Sequence, residues 1–312
     1  MASYLVTGGA GFIGSHIVHA LVARGDHVRV LDNLSTGSRD NLADVLDQVE
    51  LVVGEVDDVS LVAEAVDGVV GVFHEAALAS VPMSLDQPLE THRVCVTGTV
   101  NVLNQARLAG VQRVVYAASS SCYGDSPEPI KREDQVPQTI SPYGAAKLAA
   151  EYYCQAFAAS FAIEAVCLRY FNVFGPRQDP KSPYSAVIPI FISRLLSGTA
   201  PVIYGDGLQS RDFVFVEDVV QANLLAMDAP QASGRSFNVG CGRAIDLLTV
   251  MQGLNELLGT DVSAKHEPPR PGDIKHSRAD ISLAQDVLGY QPQVSFEEGL
   301  KRSISFYRSI IS

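Results

Sequence analysis

The sequence contains no tract of basic residues, and positive charge is scarce along the whole chain. Its 312 residues include 23 Lys and Arg against 35 Asp and Glu, which gives a formal net charge of −12. This acidity and the dispersion of the basic residues argue against a surface for nucleic acid or for an anionic membrane. A phosphorylated ligand can still bind an acidic protein, but it needs a local pocket of N–H groups and a few arginines.

Cysteine is also scarce, and no Cys-x-x-Cys pair occurs. The five cysteines are odd in number and far apart: Cys95, Cys122, Cys154, Cys167 and Cys241. We expect small buried hydrophobic residues in a reducing compartment, not a disulfide framework. The chain opens directly into a strand-like run, Tyr4–Thr7, and no apolar stretch is long enough to span a bilayer. These features predict a cytoplasmic protein without a signal peptide or a membrane segment.

Short apolar runs alternate with longer amphipathic segments over the first half of the chain. Strands are predicted at Tyr4–Thr7, His27–Leu31, Leu51–Val53, Gly71–His74, Val114–Ala117 and Ala165–Leu168. Helices are predicted between them, among others at Gly11–Arg24, Asn101–Ala109 and Tyr143–Phe161. Strands that are apolar on both faces and separated by helices are typical of a parallel sheet covered on each side. The sequence therefore predicts an α/β fold with a doubly wound, Rossmann-type parallel sheet.

The pattern changes near Asn172, where proline and glycine become frequent. Shorter helices are predicted beyond this point, at Val187–Leu196, Glu217–Met227, Leu247–Leu258 and Phe296–Tyr307. We therefore expect a Rossmann domain over residues 1–172 and a smaller α/β substrate-binding domain over residues 173–312. Part of 212–240 is expected to return to the first sheet, because Arg211–Val216 is also strand-like.

The first predicted strand leads into a glycine-rich turn, which opens the first helix. Glycines at positions 8, 9, 11 and 14 satisfy both Gly-x-Gly-x-x-Gly and Gly-x-x-Gly-x-x-Gly. Such a turn adopts positive φ, exposes N–H groups to a pyrophosphate and lets the helix approach the strand. The glycines alone could form a structural turn, but the strand–turn–helix context favours a dinucleotide site.

An acidic residue ends the second predicted strand. Asp32 lies 18 residues beyond Gly14, where a carboxylate accepts hydrogen bonds from the adenine ribose hydroxyls and repels a 2′-phosphate. This position favours NAD over NADP. The alternative is a plain turn aspartate before Asn33.

Hydroxyl, phenol and ammonium groups follow in an order typical of a catalytic site. Ser119-Ser120-Ser121 come directly after an apolar strand, and the carboxyl end of a parallel strand faces the cofactor crevice. Tyr143 and Lys147 are four residues apart on a predicted helix and share one face. We expect the ammonium to lower the pKa of the phenol, so that Tyr143 can act as a base. A chance surface pair is the alternative, and the preceding serines and dinucleotide turn argue against it.

Together these motifs resemble the extended short-chain dehydrogenases/reductases, and within them the UDP-glucose and UDP-N-acetylglucosamine 4-epimerases. The resemblance runs nearly end to end. Superfamily motifs are matched at Gly8–Gly14, Ser119–Gly124 and Tyr143–Lys147. Segments that point to nucleotide-sugar enzymes are Leu168–Asn172, Arg177–Pro180, Val187–Pro189, Ser210–Phe213 and Arg270–Asp273.

The resemblance implies NAD as the cofactor, no metal, and transient oxidation of a UDP-sugar at C4. In that reaction Ser119 hydrogen-bonds the sugar 4-hydroxyl, Tyr143 takes its proton and Lys147 holds the nicotinamide ribose. The implied cofactor-binding residues are Gly8, Gly11, Phe12, Ile13, Gly14, Asp32, Asn33, Glu55, Val56, Ala76, Ala77, Tyr143, Lys147 and Tyr170. The implied substrate-binding residues are Ser80, Ser120, Ser121, Asn172, Val187, Tyr204, Arg211, Phe213, Arg270, Asp273 and Ser277.

Several of these substrate contacts have a stated role and an alternative. Asn172 is expected to bind a phosphate oxygen, and Arg211 and Arg270 to clamp the diphosphate, although either arginine could form a surface ion pair. Tyr204 and Phe213 are expected near the uridine, or else in the core.

Ser277 is the residue expected to determine which hexoses fit the site. It stands four residues beyond Asp273, where family members restricted to glucose and galactose carry Tyr and those accepting N-acetylated sugars carry a smaller residue. Ser277 should therefore admit N-acetylated sugars, unless it only caps a turn before the helix near Ile281.

Two departures from the family pattern fall at the cofactor periphery. Glu55 stands where the family usually has Asp against adenine, and Cys95 stands where it usually has Asn. Neither departure affects the trio.

Alternatives to a hexose 4-epimerase remain open. They are a uronic acid 4-epimerase, a dehydratase or decarboxylase of the same superfamily, a net oxidoreductase and a non-catalytic NAD-binding regulator. Dehydratases place acids directly after the first serine, whereas Ser120, Ser121 and Cys122 follow here. A homodimer through two helices per subunit is what the family implies.

Overall fold

The computed structural model describes residues 1–180, 186–269 and 274–311. Its strands are β1 Ser3–Thr7, β2 His27–Asp32, β3 Val49–Val53, β4 Gly71–His74, β5 Arg113–Ser119, β6 Ile130–Lys131, β7 Glu164–Tyr170, β8 Asn172–Phe174, β9 Val202–Tyr204, β10 Ser210–Arg211, β11 Phe213–Phe215, β12 Ser236–Val239, β13 Ile245–Asp246, β14 Lys265–Glu267 and β15 Arg278–Ala279. Its α-helices are α1 Phe12–Ala23, α2 Val59–Val66, α3 Val81–Asp86, α4 Pro88–His92, α5 Gly98–Leu108, α6 Pro142–Ser160, α7 Val187–Leu196, α8 Val216–Asp228, α9 Leu247–Leu258, α10 Ser282–Leu288 and α11 Phe296–Ile311. Two 3₁₀ segments, Arg39–Gln48 and Ser120–Tyr123, and one π-helical turn, Arg93–Thr97, complete the regular structure.

A seven-stranded sheet forms the centre of the molecule. Its strand order is β12-β7-β5-β4-β1-β2-β3, and every neighbouring pair is parallel. From β1 the sheet continues through β2 to β3, and from β4 it continues in the opposite direction through β5 and β7. The loops after β1 and β4 therefore diverge and leave a crevice. The prediction of a doubly wound Rossmann sheet is confirmed.

Two apolar layers cover the faces of this sheet. All residues of β5 are buried, as expected of a strand with helices on both faces. One layer packs α1, α8 and α10 against the sheet, with Ile17, Val219 and Ala284 fully buried. The other packs α2, α5 and α6, with Val62, Val102 and Ala150 at most 1% exposed.

Three elements from the second half of the chain join the sheet. Strand β12 pairs with β7 at the edge, and α8 and α10 pack on the face opposite α6. Other elements after Asn172 build a separate apolar cluster that contains Phe174, Phe191, Phe213 and Leu254. Short strand pairs, β8 with β11 and β10 with β13, connect this cluster to the carboxyl edge of the sheet.

The sequence predictions missed the shortest elements. Helix α2 was not predicted, although Asp58 caps it by accepting from the N–H groups of Ser60 and Leu61 at 3.0 and 3.1 Å. Strand β12 was also not predicted as such, because a four-residue run gives little periodicity.

Candidate active site

The turn after β1 contains two positions at which only glycine fits. Gly8 has φ of +67°, and a Cβ on it would lie 2.7 Å from the nitrogen of Ala76. A Cβ on Gly14 would lie 2.2 Å from the Gly8 carbonyl oxygen. The glycines therefore bring the turn against the end of β4 and draw α1 onto the turn.

Helix α1 begins directly beneath this turn. Its N-cap is Gly11, which has no side chain to accept hydrogen bonds from the N–H groups of the first turn. A helix N-terminus of this kind attracts an anion through its N–H groups and its dipole. The geometry fits the pyrophosphate of a dinucleotide.

Asp32 ends β2 and is 7% exposed. Its carboxylate accepts from the Ala10 N–H at 2.9 Å and from the Leu34 N–H at 2.8 Å, so it supports both the glycine turn and its own turn. Burial raises the pKa of Asp32, and the backbone hydrogen bonds oppose this shift. A carboxylate has about four acceptor positions, so capacity remains for a ribose hydroxyl. The turn role considered above is therefore real and compatible with cofactor binding.

The adenine end of the crevice carries the first departure from the family pattern. The Asn33 amide donates to both carboxylate oxygens of Glu55 at 3.1 Å. The guanidinium of Arg93 lies 3.5 Å from the same carboxylate. The neighbouring Val56 is buried, and its carbonyl accepts from Asn101 at 2.9 Å. Glu55 is thus hydrogen-bonded to Asn33, and both belong to the predicted cofactor-binding residues.

The predicted trio meets at the carboxyl edge of the sheet. Ser119 is the last residue of β5, and its Oγ accepts from the Ser121 N–H at 3.2 Å. The Tyr143 phenol forms a side-chain hydrogen bond with Ser119. Lys147, 3% exposed, donates from Nζ to the Ala117 carbonyl at 2.8 Å. One strand end and one helix face therefore hold the three groups that proton transfer needs.

The pKa of Tyr143 differs from the expectation. Burial raises it above its usual value of 10, and the hydrogen bond with Ser119 opposes the shift only in part. The Lys147 ammonium donates to the Ala117 carbonyl, and burial lowers the pKa of Lys147. A positively charged nicotinamide acts in the opposite direction on the phenol when it is bound. The lowered tyrosine pKa expected from Lys147 alone is therefore wrong for the protein by itself.

Two further groups adjoin the trio. Cys95, on the π-helical turn before α5, is 1% exposed and interacts electrostatically with Tyr143 and Lys147. The expectation that this departure from the family pattern does not affect the trio is therefore wrong. Glu75, the first residue after β4, accepts a hydrogen bond from the Tyr170 hydroxyl at 2.8 Å. Sequence reasoning missed Glu75, although a carboxylate directly after a buried parallel strand is a signal that could have identified it.

A cavity of about 950 Å³ opens between the carboxyl edge of the sheet and the separate apolar cluster that contains Phe174 and Phe213. Predicted substrate residues in its lining are Ser121, Asn172, Val187, Tyr204, Arg211 and Phe213. Phe213 also packs in the core, with its ring centroid 5.7 Å from that of Phe296, so it both lines the cavity and contributes to the core. The lining continues with apolar side chains from α3, including Val81, Pro82 and Leu85.

Asn172 and Arg211 reach the cavity from neighbouring segments. The Asn172 N–H donates to the Asp212 carbonyl at 2.9 Å. The Asp212 carboxylate accepts from the N–H groups of Cys241 and Ala279 at 2.7 and 3.0 Å. Arg211 donates to the Ser210 carbonyl at 2.9 Å. The buried Asp212 therefore fixes the segment that carries Arg211.

The other predicted substrate residues lie elsewhere. Ser80 caps α3 by accepting from the Met83 N–H at 3.1 Å, and Ser120 is half-buried after β5. Ser277 is buried, and its N–H donates to the Ser210 carbonyl at 3.1 Å. Arg270 and Asp273 lie outside the described residues.

Ser277 does not cap the helix that follows it. The side chain that accepts from the start of α10 is Asp280, at 3.0 Å from the Ser282 N–H. The turn-capping alternative for Ser277 is therefore not supported.

A model of the NAD dependent epimerase/dehydratase family matches residues 4–240, which is well over half of the chain. The chain belongs to this family. Among curated relatives, a UDP-glucose 4-epimerase from Mycolicibacterium smegmatis is 40% identical over 311 residues, covering 98% of each chain. A UDP-N-acetyl-alpha-D-glucosaminuronate decarboxylase from Bacillus cytotoxicus is 31% identical over 317 residues, again covering 98% of each.

Solved structures of the family superpose closely on this chain. A UDP-N-acetylglucosamine 4-epimerase from Methanobrevibacter ruminantium, in complex with UDP-N-acetylmuramic acid, has a TM-score of 0.95 at 38% identity and covers 99% of both chains. A UDP-glucose 4-epimerase from Thermus thermophilus, in complex with NAD, has a TM-score of 0.89 at 37% identity and covers 98% of this chain and 99% of that one.

These comparisons confirm the resemblance to UDP-sugar epimerases and NAD as the cofactor. The glycine turn, the N-terminus of α1 and Asp32 are suited to hold it. Across the described parts of the chain, no helix is both long and apolar enough to cross a bilayer.

Proposed function

We propose that this chain is a UDP-sugar 4-epimerase that inverts C4 through a transient 4-keto sugar. The observation that carries the proposal is that Ser119, Tyr143 and Lys147 lie together at the end of β5, beside Ser121, which lines the cavity. This arrangement supports proton removal from a sugar hydroxyl at a site that also holds a hydride acceptor.

The chain's own groups supply binding and proton transfer. Ser119 hydrogen-bonds the 4-hydroxyl and Tyr143 accepts its proton, and the same phenol returns the proton after the hexose has turned. Lys147 is proposed to hold the nicotinamide ribose next to the reacting ring. If NAD is bound by the glycine turn, the N-terminus of α1 and Asp32, it would supply a reversible hydride acceptor, so the overall reaction would be an isomerisation.

The cavity supports a hexose that turns while the nucleotide stays fixed. Asn172 and Arg211 line it from one side and can hold a diphosphate, for which a guanidinium is well suited. Arg270 is proposed to add a second cation there. A cavity of about 950 Å³ lies near the upper end of the usual range for ligand sites, which leaves room for two orientations of a sugar.

The proposed substrates are the UDP-glucose/UDP-galactose pair and the UDP-N-acetylglucosamine/UDP-N-acetylgalactosamine pair. The small side chain of Ser277 supports the second pair, because a larger residue there would compete with the N-acetyl group for space. Relatives named for uronic acid chemistry make a UDP-uronic acid 4-epimerase or a decarboxylase the second candidate.

A panel of UDP-sugars distinguishes these candidates. We expect incubation of the purified protein, without added cofactor, to yield 4-epimers that chromatography separates, with no net change in absorbance at the NADH band. Tyr143→Phe serves as the blank. Release of CO₂, loss of water, or net NADH formation would replace the proposal with decarboxylation, dehydration or net oxidation.

We also propose a homodimer built on α5 and α6. The outer surfaces of these helices expose large side chains, Leu108 at 64%, Tyr152 at 51% and Tyr153 at 44%, and apolar patches on helices commonly mark subunit interfaces. Light scattering at two concentrations tests this, and a Tyr152→Glu/Tyr153→Glu variant is expected to be monomeric. A wild type that stays monomeric would refute the dimer.

A further inference from the structure

A carboxyl group that the proposed mechanism does not use lies at the crevice beside the trio. Glu75 directly follows β4, and its N–H donates to the Thr7 carbonyl of β1 at 3.1 Å. It therefore stands where the strand order reverses, on the β4 side of the crevice. Its side chain is half-buried.

The hydrogen bonds around Glu75 have a fixed direction. The Asn223 Nδ2 group donates to the Val219 carbonyl at 2.9 Å, which identifies it as the amide nitrogen. The same nitrogen donates to the Tyr170 hydroxyl oxygen at 2.7 Å. A hydroxyl has one proton, so Tyr170 donates it to the Glu75 carboxylate at 2.8 Å. Tyr170 therefore donates to Glu75, and Asn223 fixes the direction of that hydrogen bond.

The charged and titratable groups that face Glu75 come from three sides. Lys147 and Tyr143 on α6 interact with it electrostatically, and the Lys147 ammonium favours its ionised form. Tyr170 on β7 donates to it, and the adjacent His74 is buried and neutral because its pKa falls to about 3. Burial outweighs the favourable contacts and raises the pKa of Glu75 to about 7.

The sheet order indicates which part of the cofactor reaches this carboxyl. The turn after β1 is suited to the pyrophosphate and Asp32 after β2 to the adenine ribose, so the nicotinamide half must extend to the other side, over β4, β5 and β7. Glu75, Ser119 and Tyr170 end or directly follow those three strands.

We propose that Glu75, as an anion, is a positioning residue that favours the oxidised form of the bound cofactor over the reduced form. The oxidised nicotinamide ring carries a positive charge and the reduced ring carries none, so a nearby fixed anion stabilises only the former. The inference rests on NAD binding and not on the choice of sugar. In an epimerase, this preference for the oxidised cofactor would limit the fraction of enzyme whose cofactor stays reduced after a keto sugar escapes.

The test is the reduction potential of the bound cofactor, measured without any nucleotide sugar. Holoenzyme is equilibrated with redox dyes of known potential, and bound NADH is read from its absorbance. At pH 8 we expect Glu75→Gln, which keeps the shape and the acceptor oxygen, to raise the ratio of reduced to oxidised cofactor by on the order of ten-fold. For a two-electron couple that corresponds to about 30 mV.

The pH dependence separates charge from shape. Glu75 is ionised above its pKa and neutral below it, so the difference between wild type and Glu75→Gln should be full at pH 8 and shrink as the pH falls through 7 toward 5.5. The intrinsic proton dependence of the NAD couple is common to both proteins and cancels in this difference. A bound nicotinamide cation lowers the pKa of Glu75, so it moves the midpoint of this pH dependence to lower pH and not to higher pH.

Two matched variants complete the test. Glu75→Asp retains the charge and should keep the wild-type potential at pH 8 to within about three-fold in the ratio. Tyr170→Phe removes the hydrogen bond but not the charge, so it should move the midpoint of the pH dependence upward and leave the value at pH 9 unchanged. Equal potentials for wild type and Glu75→Gln at pH 8, or a difference that does not change with pH, would overturn the inference. Because no sugar is present, a failed epimerase assay leaves this result unaffected.

Discussion

Arg169 and Glu151 form a two-pronged ion pair inside the molecule, with N–O distances of 2.6 and 3.0 Å. Their side chains are 4% and 1% exposed. Arg169 lies on β7, next to Tyr170, and Glu151 lies one turn beyond Lys147 on α6. The pair therefore connects the helix that carries Tyr143 and Lys147 to the strand that carries Tyr170.

The ion pair leads to a prediction on stability. Glu151→Leu leaves the Arg169 guanidinium buried without its charge partner, which commonly costs about 3–5 kcal/mol. The Glu151→Leu/Arg169→Met double variant should be considerably more stable than the single one, because both charges are removed together. Urea unfolding monitored by circular dichroism measures both. Glu298→Gln, which breaks the exposed pair with Arg302, is the control and should change nothing measurable. A single variant as stable as wild type would contradict the structural role of the pair.

The glycine turn makes a second prediction. Gly14→Ala places a methyl group 2.2 Å from the Gly8 carbonyl oxygen, so α1 must move away from the turn. We expect loss of bound NAD and a lower melting temperature. Gly253→Ala is the matched control, because its Cβ meets only Leu300 at 3.5 Å, and alanine in a helix interior should add about 0.5–1 kcal/mol of stability. NAD retained at the wild-type level in Gly14→Ala would show that the turn tolerates the methyl group.

Catalysis is tested at Tyr143. The Tyr143→Phe variant keeps the ring and its packing but loses the group that accepts the proton. Fold and NAD content should be unchanged, while the epimerisation rate falls on the order of 10²–10⁴-fold. Turnover close to that of wild type would remove the proposed mechanism.

The identity of the cofactor follows from Asp32. Its buried carboxylate should bind a ribose diol and repel a 2′-phosphate. Denaturing the purified protein and identifying the released nucleotide by mass should yield NAD. Recovery of NADP(H) would mean that the carboxylate does not select the cofactor.

Local patterns in the sequence were sufficient for the long elements. The helices Val187–Leu196 and Leu247–Leu258 have the bounds that the hydrophobic pattern predicts. Each combines a clear period with an apolar face that has one place to pack. Short elements such as α2 and β12 carry too few residues for a period, and their place is set by the capping carboxylate of Asp58 or by pairing with β7.

The candidate site was predictable where a motif fixes the local geometry, and less so where distant segments meet. The glycine turn, Ser119, Tyr143 and Lys147 come together as the spacing of their motifs suggests. Glu75 and Asn223 were not predicted, because their hydrogen bonds with Tyr170 join distant parts of the chain. Glu75 is 95 positions from Tyr170, and Asn223 is 53 positions from it. The pKa of Tyr143 was misjudged because sequence reveals the neighbouring lysine but not the burial that outweighs it.

Substrate width gives the final prediction, and it rests on Ser277. This side chain is 9% exposed and is hydrogen-bonded through its backbone to Ser210, next to the Arg211 that lines the cavity. Ile274, three residues earlier, lines the same cavity. A tyrosine ring at position 277 therefore has no solvent to enter, and we expect it to take volume from the neighbouring cavity.

We expect wild type to interconvert UDP-N-acetylglucosamine with UDP-N-acetylgalactosamine, and Ser277→Tyr to lose this pair while retaining UDP-galactose. Overpacking costs about 1–3 kcal/mol, which is enough for a loss of roughly ten- to hundred-fold in kcat/KM. Ser277→Ala, which adds no volume, is the control and should accept both pairs. The measurement is kcat/KM for each sugar with product separation. A Tyr variant that still turns over the N-acetylated pair, or a wild type that ignores it, would mean that another residue sets the width of the hexose site.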